Sequence, residues 1–182
     1  MAVRSTMAEL ITEMRLMVHD PSGDTALFSD QEIQDALDQN AYQSEYEQMV
    51  PISKVAPGGV TVYKKFVAQH AYWESDVELV SGDYAVLTPT SSDLKSGTWL
   101  FESSQNLPVL IYGVWYDMHG TAGELWGLKA GKCAEQFDSG INGDSYALHQ
   151  KYDQAIAESK RHRIYSQKGC GVTHLRRSDV AS

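Results

Sequence analysis

The sequence predicts an α+β chain, mainly α. It has four helices in two pairs, an antiparallel β-hairpin region inserted between the second and third helices, and an extended C-terminal tail. Three observations predict this. Apolar residues recur at helical spacing near both ends. Between Pro57 and Gly113 they give way to β-branched and aromatic runs separated by turn residues. After Gly169 the periodicity fades, leaving CGVTHLRRSDVAS as a tail.

The first helix is predicted over Met7–His19, with Thr6 and Glu9 at capping-box spacing and Leu10, Ile11, Met14 and Met17 as its apolar face. Pro21 and Gly23 break it. The second has the clearest start in the chain: Ser29 as N-cap, Glu32 three residues on, and Phe28 and Ile33 as a hydrophobic staple. Ile33, Leu37 and Ala41 form its inner face, and it is expected to end before Pro51. Strands are predicted at Val60–Val67, Asp76–Val80, Tyr84–Leu87, Thr98–Phe101 and Val109–Tyr112. Gly82-Asp83, Ser91–Asp93, Ser96-Gly97, and Asn106 with Pro108 separate them. Tyr72, Trp73, Trp99, Phe101, Tyr112 and Trp115 are expected to stack as a small core there.

The third helix is predicted from about Tyr116 to Phe137, with Ala122, Trp126, Ala130, Cys133 and Phe137 facing inward. Gly120, Gly123, Gly127 and Gly131 fall on one stripe of it. A glycine in a helix interior costs roughly 1 kcal/mol relative to alanine, so four on one face imply close approach of another backbone. Leu125 and Leu128 sit among Glu124, Lys129 and Lys132, and together with the stripe they suggest partners on two sides. Gly140 and Gly143 close the next turn. The fourth helix follows over Ser145–Ser166, with Leu148, Tyr152, Ala155 and Ile156 inward.

The chain carries 24 carboxylates against 15 Lys and Arg. Residues 151–182 hold seven basic and three acidic side chains, hence +4, leaving −13 on residues 1–150. An acidic body repels nucleic acid, which argues against a DNA-binding domain. Two cysteines, Cys133 and Cys170, imply no disulfide framework and fit a reducing compartment. No signal peptide and no membrane span is predicted.

Candidate chemistry is sparse. Cys133 lies on an apolar helical stripe, where an inert thiol is the ordinary reading. Cys170 and His174 are spaced as two metal ligands might be, but only His162 and the distant Cys133 could complete a site. His119 and Asp117 flank a helix start, as caps do. Glu45/Glu47 and Asp35/Asp38 fit solvated helix faces. Gly58-Gly59 matches no phosphate-binding loop. The expectation is no enzyme, no cofactor and no metal, and a structural or assembly role.

The order of elements resembles the head–tail adaptor (connector) proteins of tailed bacteriophages. ELITEMRLMVHDPSGDTALFSDQEIQDALDQNAYQ is similar to their opening helix, short loop and capped second helix. VLTPTSSDLKSGTWLFESSQNLPVLIYGVWYDMHGTAGELWGLKAGKCAEQFD is similar to a strand-rich insertion running through G-x-W-x-F and V-x-I-x-G strands into Tyr116-Asp117 and a long helix. HQKYDQAIAESKRHR is similar to the last helix.

The resemblance implies one adaptor-like domain over 1–168, a four-helix core with a β-rich insertion over 57–113, and a tail over 169–182. It implies a homo-oligomeric ring, typically twelvefold, in the virion neck between the portal and the tail or its stopper and terminator proteins. DNA would pass through without sequence-specific binding. Gly120, Gly123, Gly127, Gly131, Leu125 and Leu128 would serve subunit packing. Arg161, Arg163, Lys168, Val172, Leu175, Arg176 and Arg177 would dock on the portal. Two alternatives stand beside this reading. One is another head-completion or tail-terminator subunit. The other is a small cytoplasmic enzyme or ligand-binding domain with a pocket in the aromatic β region.

Overall fold

Asp20, a buried acid, accepts hydrogen bonds from the backbone of Leu27 and Phe28 and a salt bridge from Arg15, which fixes the turn between the first two helices. The computed structural model that shows this describes residues 3–23, 25–138 and 145–166. A 3-10 turn at Ser5–Met7 leads into α1 (Ala8–Met17), then α2 (Asp30–Asp38). Eight strands follow: β1 (Ala41–Gln48), β2 (Val50–Val55), β3 (Thr61–Val67), β4 (Glu78–Ser81), β5 (Val86–Leu87), β6 (Ser91–Asp93), β7 (Thr98–Leu100) and β8 (Val109–Tyr116). Then come α3 (Met118–Asp138) and α4 (Ser145–Tyr165).

The strands form two four-stranded antiparallel sheets, ordered β1-β8-β4-β5 and β2-β3-β7-β6. Met49 is the single residue between β1 and β2, where the chain leaves one sheet for the other. Met49, Phe66, Trp73, Trp99, Phe101, Ile111 and Trp115, drawn from both sheets, are buried together. A second core joins α1, α2, α3 and α4 through Met14, Ile33, Leu37, Leu125, Trp126 and Ala155.

This overturns the expected architecture. The chain is not a mainly α, four-helix core carrying an inserted hairpin. Two four-stranded sheets own a core of their own beside the helical one. The difference begins at Asp38, where α2 stops; the residues expected to prolong it up to Val50 form β1 and the first residue of β2. Asn40 marks the change, its side-chain amide donating to Ala36 O at 3.0 Å and Glu124 Oε2 at 3.0 Å. Alternation is weak in β1, and every residue of β2 is at least partly exposed, so neither shows a period-2 apolar pattern. β8 also runs four residues beyond its expected end and α3 starts two later.

Ser91–Asp93, expected as a turn, is β6, and Tyr152, expected to face inward on α4, is exposed. Ser29 caps α2 with the full capping box: its hydroxyl accepts from Glu32 N, and Glu32 Oε2 accepts from Ser29 N at 2.7 Å. Thr6 does not cap α1. Its hydroxyl donates instead to Glu74, which also accepts from Tyr116 Oη and from Arg4 Nε at 3.2 Å. Glu74 is 5% exposed, so this network pins the N-terminal turn to the sheets. Phe137's side chain, Gly140 and Gly143 lie outside the described residues. So do Lys168, Cys170, Val172, His174, Leu175, Arg176 and Arg177.

Candidate assembly surfaces

The glycine stripe seats α4 of the same chain. A Cβ at Gly120 would lie 2.7 Å from Asp117 Oδ2 and 3.1 Å from Ser166 Oγ. At Gly123 it would lie 3.1 Å from Arg163 Cγ and 3.3 Å from Ser159 O, and at Gly127 3.7 Å from Ser159 Oγ. Ser159 Oγ donates to Gly123 O at 2.7 Å, and Ser166 Oγ to Asp117 Oδ2 at 2.6 Å. Gly120, Gly123 and Gly127 are thus occupied within the subunit, which corrects their expected role between subunits. Leu125 is corrected likewise, being 1% exposed in the helical core between α3 and the α1–α2 pair. The expectation of partners on two sides of α3 holds, but both partners are intramolecular.

Leu128 and Gly131 differ. Leu128 is 56% exposed, and a Cβ at Gly131 would meet nothing within 4 Å. Opposite signs follow. Gly123→Leu is expected to destabilise by about 1–3 kcal/mol through overpacking against α4. Gly131→Ala is expected to stabilise by up to about 1 kcal/mol, since the helix gains propensity and no neighbour must move. Urea unfolding of both variants checks this; equal effects would show that the stripe is not graded.

Leu128 and Gly131 line a groove of about 460 Å³ between α2 and α3. Glu32, Asp35 and Glu135 make it acidic. Backbone and hydroxyl hydrogen bonds from Ser29 hold the Glu32 carboxyl below its ordinary pKa, so it is charged. Lys132 is the basic residue of the groove; its ammonium donates to Leu27 O at 2.9 Å and sits over the Phe28 ring.

The β2–β3 hairpin has the opposite character. Over Val50–Val67 it carries Lys54, Lys64 and Lys65 and no carboxylate, on a chain that is acidic overall. Val50, Ile52, Val55 and Val60 are exposed, Val55 to 73% and Val60 to 63%. β2 is a sheet edge. The sequence signal was the absence of any Asp or Glu across Val50–Val67, of which only Val60–Val67 was expected as a strand.

A third surface is aromatic. On β8, Val109, Ile111 and Trp115 face the core of the sheets, whereas Val114 and Tyr116 pack with the helices. On this second face, nearer the start of β8, Tyr112 is exposed and stacks with Tyr46, ring centroids 5.3 Å apart. Tyr84 meets Tyr46 edge-on at 5.1 Å. Tyr46, at the bulge between β1 and β8, has φ 56°, and Tyr84 has φ 60°. Such backbone costs on the order of 1 kcal/mol or more per bulky residue. Expecting Tyr112 in the core was wrong. Trp73, Trp99, Phe101 and Trp115 are buried in that core as expected, whereas Tyr72 packs against the helical core; Tyr72 and Trp73 also border a cavity of about 300 Å³ beside α1.

No protein-family model, curated protein or solved structure matches this chain.

The remaining sequence candidates are scattered. Arg161 lies 3.6 Å from Glu158, and Arg163 packs its stem near Gly123. Both are exposed near the end of α4. Cys133 is half-buried. Glu47 accepts from Ser44 Oγ at 2.9 Å, Glu45 points to solvent, and Gly58-Gly59 forms the hairpin tip. Among the described residues no three His, Cys, Asp or Glu side chains are grouped to hold a metal ion. No described helix is long and apolar enough to cross a membrane.

His119 and His162 do meet, with Nδ1 atoms 3.0 Å apart across α3 and α4. Burial first, and then His119, lower the His162 pKa below its ordinary 6.5, against a raising pull from Glu158. Its protonation therefore opposes folding: stability is whole above pH 6.5 and is lost as pH falls through and below that value. The melting temperature is expected to drop on acidification, and less steeply in His162→Gln. Parallel pH profiles for the two proteins would refute the assignment.

Proposed function

We propose that this chain is a structural subunit of the tailed-bacteriophage neck, forming a ring that joins the portal of the head to the tail and surrounds the DNA path. The observation that carries this reading is the basic, apolar β2–β3 hairpin, with Val55 and Val60 largely in solvent. Several exposed apolar side chains on one short hairpin favour a site of protein association. The Tyr46–Tyr84–Tyr112 platform is a second such surface, and a ring subunit needs separate surfaces for its neighbours in the ring and for the layers above and below it. The resemblance in element order and in the G-x-W-x-F and V-x-I-x-G segments supplies the setting.

An acidic body, with 24 carboxylates against 15 basic residues, would let DNA slide through without sticking. Arg161 and Arg163, at the basic end of the chain, would meet the portal. Negative-stain imaging and native mass measurement of the protein, alone and mixed with portal, test the proposal. The expected result is a closed ring, twelvefold when seated on portal. A protein that stays monomeric at every concentration and passes portal without binding would overturn it.

A further inference from the structure

We propose that the β2–β3 hairpin of one copy seats in the acidic α2–α3 groove of the next, and that this is the repeating contact of the ring. The inference rests on the assembly reading above and deepens it by naming the two surfaces.

Charge is the first argument. Lys54, Lys64 and Lys65 stand on the hairpin without a carboxylate, while Glu32, Asp35 and Glu135 flank the groove. The groove's own Lys132 is turned to Leu27 O and the Phe28 ring. Opposed potentials of this sort steer encounter and fix register.

Apolar surface is the second. Val55 and Val60 near the tip, and Leu128 in the groove, are each more than half exposed. Gly131, with nothing within 4 Å of its would-be Cβ, leaves the floor open to an incoming side chain.

Chain geometry decides the mode. β2 is an edge, but Pro51 lacks an N–H and Lys54 is charged, features that discourage a further strand from adding there. The hairpin is thus suited to insert side chains and not to extend a sheet. It belongs with the core of the sheets and the groove with the helical core, so the contact joins two different patches. Such a heterologous contact propagates head to tail and closes into a ring when the rotation permits.

The test is a charge swap on two exposed residues, in the full chain. Lys54→Glu and Glu135→Lys, each alone, are expected to weaken self-association roughly tenfold or more by setting like charges together. An equimolar mixture of the two variants should recover assembly, because each hairpin then finds a complementary groove on the other. Sedimentation and imaging read the result, with melting temperature as the control for folding. Val60→Asp, at the hairpin tip, is a second variant and should also block assembly. If the wild type forms rings and all three variants do so equally well, the hairpin contact is wrong and the ring reading survives. If the single variants fail and their mixture does not recover, this pairing is overturned. If the wild type assembles neither alone nor on portal, both readings fall.

Discussion

Trp73→Ala is expected to lower stability by about 3–5 kcal/mol, the range for emptying a large aromatic site in a packed core. Trp73 is 1% exposed and meets Trp99 edge-on at 6.1 Å. Its indole Nε1 donates to His70 O at 2.8 Å, and its backbone bridges to Trp115. Removing it opens a cavity between the sheets and orphans a carbonyl. The neighbouring turn cannot shift easily, because Gly97 packs there with φ 63° and a Cβ at that position would lie 2.3 Å from the same carbonyl. Denaturant unfolding by far-UV dichroism measures the loss. A cost under about 1 kcal/mol would mean that the core of the sheets is loosely packed.

Glu74→Ala comes second, at about 3 kcal/mol. The Arg4 ion pair contributes little of that, since Arg4 is 43% exposed and keeps Asp38 at 2.6 Å. The larger loss comes from the Tyr116 and Thr6 hydroxyls, each of which loses the Glu74 oxygen it donates to. Tyr116 is 2% exposed, and burial with the Glu74 bond raises its pKa far above the ordinary tyrosine value, so it remains a neutral donor. Combining Glu74→Ala with Tyr116→Phe should cost less than the two single changes added together. Strict additivity would show that the two groups are not coupled.

Legibility in the sequence followed burial. α2 could be placed from its cap because Ser29, Glu32, Phe28 and Ile33 act within a few residues of one another. The long helices and the strand at Val109 announced themselves by buried apolar periodicity. β1 and β2 did not, because their outer faces meet solvent and leave polar or isolated apolar residues where alternation was sought. The close packing expected along the glycine stripe holds at Gly120 and Gly123 and not at Gly131, and no sequence pattern tells whether the helix in that groove belongs to the same chain. Leu125 looked stray because α3 is buried on two sides, which widens the apolar arc beyond a single stripe. Of the surfaces, Leu128 was singled out from sequence, whereas the tyrosine platform was hidden by the usual habit of counting tyrosines as core.

β8 passes from one core to the other in a single residue step: Trp115 is packed among the sheets and Tyr116 among the helices. Asp117 then follows directly into α3, with its side chain tied to Gly120 and Ser166. Neither half can melt while the other stays intact, because the same strand would have to be ordered at one residue and free at the next. Heating should therefore produce one calorimetric transition whose van't Hoff and measured enthalpies agree, despite the two separate interiors. Under the neck role proposed above, such unity means that the subunit yields all at once or not at all.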